Sequence, residues 1–408
     1  MDGAFNIFIR IRIMNGKGLF FIISLLFFGQ ISRSQKPFPH EQLLRHLLLL
    51  QSKEAGEFEE GGFASYREYQ LNIGRFKNDN NSFYTGLILM TLRDLYPEFS
   101  DAGKKLADSI IRLAIPSFQR FKNQKGRPTF NFWSTNPPRI FPNGGWLNWF
   151  DKPRALPDDM DCTSISTLAL ARPDSVAQTV HGLMQAFVND GVKKLMPTFD
   201  EVEDLPVYST WFGVKMPVEF DAPVICNVLT MVYHYSLPLT RADSASIEYL
   251  TTIIRKRYHL SDPMKVSPNY ASPSIILYHY SRLMNKGKIE SLEELKPVLI
   301  HDADSLYKIS ENLVEKSMLS TALMRWGVEP PKDTVEIKSG LINAVHEQPF
   351  VFFIANLGIA FPDGWKHRIA SGKAGRFHYY CPAWDITLLL ENIITAGSFM
   401  RRDKVSHF

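Results

Sequence analysis

Cysteine is scarce in this chain: Cys162, Cys226 and Cys381 are all there is in 408 residues. Three thiols so far apart cannot frame a disulfide-stapled fold, and an odd number leaves at least one free. Net charge is equally thin, +4 with histidine neutral, which excludes the basic stripe by which a protein recognises nucleic acid. No CxxC, HExxH, GxxxxGK[ST] or GxGxxG occurs, so zinc ribbons, zincins, P-loop enzymes and dinucleotide folds find no footing. Strand-like alternation is rare, and no segment approaches the run of about 20 apolar residues that crosses a bilayer.

What is present begins with Leu19–Phe28, LFFIISLLFF, preceded by Arg10, Arg12 and Lys17. This has the length of a signal-peptide core, and Ser32-Arg33-Ser34 supplies small residues for cleavage, so residues 1–34 read as an export signal. A mature chain would then start at Gln35 in the periplasm or outside the cell, and an uncleaved membrane anchor is the alternative.

Beyond residue 40 the apolar spacing is helical almost throughout, broken by Pro- and Gly-containing turns. Six segments are apolar or small on nearly every face: they begin near Tyr84, Thr163, Pro223, Pro273, Ser320 and Asp385. Helices apolar on most sides are buried on most sides, whereas intervening stretches such as AGKKLADSIIRLAIPSFQRF are amphipathic. Buried and amphipathic helices in alternation suggest a repeating helix pair. The sequence therefore predicts an all-α fold, a single (α/α)6 toroid of inner and outer helices over residues 76–408, with residues 35–75 as a helical lead-in. Asp161, Asp221 and Ser272 stand ahead of inner helices as expected N-caps, Pro223 and Pro273 in the first turn.

These helix starts carry a resemblance. Leu156–Ala171, LPDDMDCTSISTLALA, resembles the DxDDT(A) start of squalene–hopene cyclases and other class II terpene cyclases, and the DCT(A) of oxidosqualene cyclases. FDAPVICNVLTMVYHY and NYASPSIILYHYSRL are similar to helices of bacterial prenyltransferase-like repeat proteins. The resemblance implies a terpenoid cyclase or protein prenyltransferase-like toroid, with Asp161 as the acid that protonates an alkene or epoxide, Asp159 as the first Asp of the motif and Cys162 in place of its last. Asp158 and Asp159 are neighbouring carboxylates that would keep Asp161 protonated. The chain departs from the family in having room for one toroid instead of two barrels, and no repeating QW motif.

Substrate-binding candidates are Trp133, Trp146 and Trp149 in the aromatic stretch before the acidic turn, with Asp158, Asp221, Tyr270 and Trp384. Such rings either stabilise a cation or pack a loop over the mouth. No metal or cofactor is expected, since Asp161-Cys162 lacks the D-x-C spacing of zinc prenyltransferases. The acidic run Asp200, Glu201, Glu203 and Asp204 reads as a solvated loop. The expected partner is an apolar, isoprenoid-type molecule or a glycan, with membrane contact and without nucleic acid. Three functions stay open: an isoprenoid cyclase-like enzyme, a secreted binding scaffold without chemistry, and a secreted carbohydrate-active enzyme.

Overall fold

A computed structural model describes residues 39–141, 155–213, 216–331, 341–356 and 372–406. The expected signal segment 1–34, and the tryptophans Trp146 and Trp149, lie outside the described residues.

In chain order the longer elements are α1 (Pro39–Leu50), β1 (Tyr66–Tyr69), β2 (Phe76–Asn78), α2 (Ser82–Leu95), α3 (Asp101–Ala114), α4 (Met160–Ala169), α5 (Asp174–Met184) and α6 (Ala222–His234). There follow α7 (Arg241–Arg255), α8 (Pro273–Lys286), α9 (Lys296–Ile309), α10 (Leu313–Arg325), α11 (Leu341–Glu347), β3 (Phe353–Asn356), β4 (Arg376–Tyr380) and α12 (Pro382–Ser406). The six segments read as apolar on all faces are α2, α4, α6, α8, α10 and α12. Every residue of α4 is buried, as is all of α6 up to Val232. They pack in chain order, α2 on α4, α4 on α6, α6 on α8, α8 on α10 and α10 on α12, and α12 returns to α2. Amphipathic helices cover them, α3 burying Gly103, Ala107, Ile110, Ile111 and Ala114 and exposing its charged side. Among the described residues no helix is long and apolar enough to cross a membrane.

Caps fix where these helices start. Asn81 accepts from Tyr84 N ahead of α2, Asp221 from Val224 N ahead of α6, and Asn312 from Val314 N and Glu315 N ahead of α10. Ser272 precedes α8 without a side-chain cap bond, and Pro273 sets the first turn by its fixed φ instead.

The expected all-α (α/α)6 toroid is overturned. A four-stranded antiparallel sheet, in the order β2-β1-β4-β3, is part of the fold. Tyr66 pairs with Asn78 and with Tyr380, and Phe353 pairs with Tyr379. Phe352, Ala355 and Tyr379 of this region belong to the same hydrophobic core as α2, α4 and α12. The class is therefore mixed α and β, with the sheet contributing directly to the core beside the helix starts. Strands of three to five residues are too short to print a period-2 pattern, and the central pairing, β1 with β4, joins segments far apart in the chain.

Candidate active site

The chain enters α4 through extended backbone at Asp159, whose side chain, rather than that of Asp161, is the N-cap. Asp159 Oδ1 accepts from Cys162 N at 2.6 Å. The turn is clamped to neighbouring loops: Asp159 N donates to Phe130 O at 3.3 Å and Met160 N to Thr210 O at 2.8 Å. Asp158 accepts from Asn123 Nδ2 and Thr129 Oγ1, each at 2.5 Å. Asp158 thus ties the loop of residues 121–131 to the helix start and lies outside the cavity lining.

With Asp159 as cap, Asp161 is released from capping and turns inward among α4, α6 and the approach to α8. Its Oδ1 accepts from Asn227 Nδ2 at 2.7 Å, and its Oδ2 from the Tyr270 hydroxyl. The side chain is 5% exposed. Burial pushes its pKa up to about 6, opposed by the hydrogen bonds from Tyr270 and Asn227 and by the charge of Arg282. Asp159 is raised well above the carboxylate range, chiefly by burial and then by the charge of Asp161. Its second oxygen is buried without a hydrogen-bond partner among the described residues.

Both carboxyls face a cavity of about 530 Å³. Its wall is mainly apolar: Phe132 and Trp133 come from the strand-like approach to the turn, Phe353 and Ala355 from β3, and Tyr379 from β4. Phe132 stacks on Phe353 at 5.2 Å and meets Tyr379 edge-on at 5.7 Å. Cys162, Thr210, Trp211 and Asn269 complete the polar part near the acids. Burial raises the Cys162 thiol well above its usual range, so it stays a neutral wall group.

A second pair of buried acids stands behind Asn269. Asn269 Nδ2 donates to Glu219 Oε1 at 3.1 Å and to Asp221 Oδ2 at 3.2 Å, and Asp221 Oδ2 also accepts from Ser267 Oγ at 2.8 Å. Burial lifts Glu219 to about 7 and Asp221 to about 8.

Of the residues singled out from sequence, Asp159, Asp161, Cys162 and Trp133 come together on the cavity wall. Tyr270 reaches the site through Asp161. Asp221 caps α6 and anchors Ser267 and Asn269. Trp384 is fully buried, its ring against Phe352 at 5.1 Å and the Arg282 guanidinium at 6.0 Å, away from the cavity lining. Cys226 and Cys381 are buried and, like Cys162, free thiols.

Sequence reasoning missed Asn227, Glu219, Asn269 and the contribution of β3 and β4. Asn227 carried a readable signal, an amide in the middle of the otherwise apolar helix PVICNVLTMV. A buried amide needs a partner, and a carboxylate on the neighbouring helix is the natural one. Compared with protein-family models, with curated proteins and with solved structures, the chain matches none.

Proposed function

We propose that the chain binds an apolar, isoprenoid-type molecule in the cavity and protonates a carbon–carbon double bond or epoxide of it through Asp161. The observation that carries this reading is a buried carboxyl, with its pKa raised to about 6, at the wall of an apolar cavity of about 530 Å³. That volume is in the usual range for a small-molecule site. The largely apolar wall favours an isoprenoid over a glycan.

The hydrogen bonds around Asp161 prepare the carboxylate that the transfer leaves behind. Asn227 Nδ2 donates to Asp161 Oδ1, and the Tyr270 hydroxyl donates to Oδ2. Both neighbours thus favour the ionised carboxyl, which makes neutral Asp161 the readier to give its proton to the ligand. In the step, the Asp161 O–H bond breaks, a C–H bond forms, and the electron pair of the double bond leaves a cationic carbon behind. The same two donors then stabilise the Asp161 carboxylate. Rings of Phe132, Trp133 and Tyr379 face the cation, each such contact worth about 0.5–2 kcal/mol. Loss of a proton from an adjacent carbon to the Asp161 carboxylate ends the reaction and regenerates the acid, so the product is an isomer of the substrate.

Geranylgeraniol, a linear polyprenol, is the first probe. The protein should convert it to an isomer of equal mass, and Asp161→Asn should lower turnover at least about 100-fold. Equal turnover by Asp161→Asn would sink the mechanism. Tight binding without turnover by either protein would replace it with the non-catalytic binding scaffold.

A further inference from the structure

We infer that the β1–β2 hairpin is a docking element for an anionic membrane surface and stands at the outer end of an aromatic path into the cavity. Residues 71–78 are all exposed. Three of them are large and apolar, Leu71 at 58%, Ile73 at 69% and Phe76 at 51% exposure. Two more are cations, Arg75 and Lys77, and the segment 70–78 contains no acid. Aliphatic and aromatic side chains beside cations on one protrusion are the combination that inserts at a headgroup boundary while pairing with anionic lipid. Two acids touch the hairpin: Glu57 meets Asn78 at its base, and Glu68, itself buried, takes the Gly74 N–H from beneath the tip.

The tip is a built loop. Gly74, at φ +84°, takes a conformation that favours glycine, and its N–H donates to Glu68 Oε1 at 2.5 Å. Asn72 N donates to Tyr69 O at 2.7 Å and Arg75 N to Asn72 O at 3.1 Å. Gln70 N reaches Arg376 O at 3.1 Å, and the Gln70 amide meets His378 Nδ1 at 2.9 Å. These bonds hold Leu71 and Ile73 outward with little conformational entropy left to lose on insertion. A folded protein exposing such residues on an ordered turn gains nothing from them in water.

The hairpin also connects to the site. Tyr69 stacks on Phe377 at 4.9 Å, Phe377 meets Phe141 edge-on at 6.2 Å, and Phe141 stacks on Trp133 at 6.2 Å. Phe141 and Trp133 line the cavity, while Tyr69, Phe377 and Phe141 are half-buried. A continuous row of rings thus leads from two residues short of Leu71 to the cavity wall. An isoprenoid is stored in bilayers because water excludes it, so a cavity fed along this row would draw directly on the membrane. That delivery role rests on the proposed function above, whereas the docking itself does not.

The test places an environment-sensitive fluorophore on the full chain through Asn72→Cys, the three native thiols being buried. A local probe is needed because Leu19–Phe28 could bind vesicles by itself. On phosphatidylcholine vesicles containing phosphatidylglycerol, emission should shift to the blue and be quenched by brominated lipid. Arg75→Ala with Lys77→Ala should weaken the probe's insertion by roughly 25-fold, about fivefold for each cation. Leu71→Ser with Ile73→Ser should weaken it by at least about tenfold. Co-sedimentation with an unquenched probe would mean that another segment makes the contact, and would overturn the inference. A shift that grows with protein concentration and needs no vesicle would assign the tip to a second copy of the chain, and would overturn it too. Geranylgeraniol turnover in vesicle-free buffer reads the cavity separately, so failure of docking and failure of the proposed chemistry are distinguishable.

Discussion

Asn227 Nδ2 lies 2.7 Å from Asp161 Oδ1, joining the middle of α6 to the first turn of α4. With the Tyr270 hydroxyl on the other oxygen, it stabilises the charged carboxylate against the burial that raises it. Removing either donor should raise the Asp161 pKa further. In Tyr270→Phe and Asn227→Leu, the decline of kcat/KM that is expected above about pH 6 should move to higher pH. The maximal rate should also fall, by roughly 10-fold for each lost donor, because the carboxylate left by proton transfer is less stabilised. An unmoved pH limb in both variants would mean that another group supplies the proton.

The same burial makes stability depend on pH. Asp161, Glu219 and Asp221 have folded pKa values raised to about 6, about 7 and about 8 from unfolded values of 3.8, 4.5 and 3.8. Between those limits the folded state holds more protons than the unfolded one, so stability falls as pH rises, fully present below about 4 and lost progressively through about 8. Melting temperature should drop across this range. Glu219→Gln, which keeps an acceptor for Asn269 and cannot ionise, should flatten the fall around the Glu219 pKa of about 7. A melting temperature that climbs steadily over the range would contradict these assignments.

The approach of α2 to α4 depends on Gly86. A Cβ built there would lie 2.8 Å from Ile165 Cγ2, and a β-branched side chain has little rotamer freedom in a helix with which to yield. Gly86→Leu should therefore destabilise the fold by about 2–3 kcal/mol, read by denaturant unfolding. Gly86→Ala makes the same Cβ contact, offset in part by a helix-propensity gain of about 1 kcal/mol, and should destabilise less than Gly86→Leu, by about 1 kcal/mol. A stabilised Gly86→Leu would mean the two helices are not in close contact.

The central helices were legible because burial on every side leaves a local signature: STALMRWG and APVICNVLTMVY have no polar face to turn outward. The sheet was not, because YREY and RFHYY become strands through pairing, Tyr66 against Tyr380, and nothing in either short segment states its partner. At the site, the acidic turn and Tyr270 could be read as candidates. The division of labour between Asp159 and Asp161 could not, since both precede an apolar helix and either could cap it. Only the extended backbone at Asp159 decides that this residue caps and its neighbour two positions on is free. Asn269 and the β3 residues reach the cavity, and Glu219 stands behind Asn269, through tertiary packing that no local pattern states.

The most direct measurement of the central claim is turnover of geranylgeraniol in deuterium oxide, followed by mass spectrometry of the product. If Asp161 gives an exchangeable proton to carbon, each product molecule gains one deuterium at a non-exchanging position, and Asp161→Asn forms no labelled product. An isomer formed without deuterium, or labelled equally by Asp161→Asn, would contradict proton transfer from Asp161.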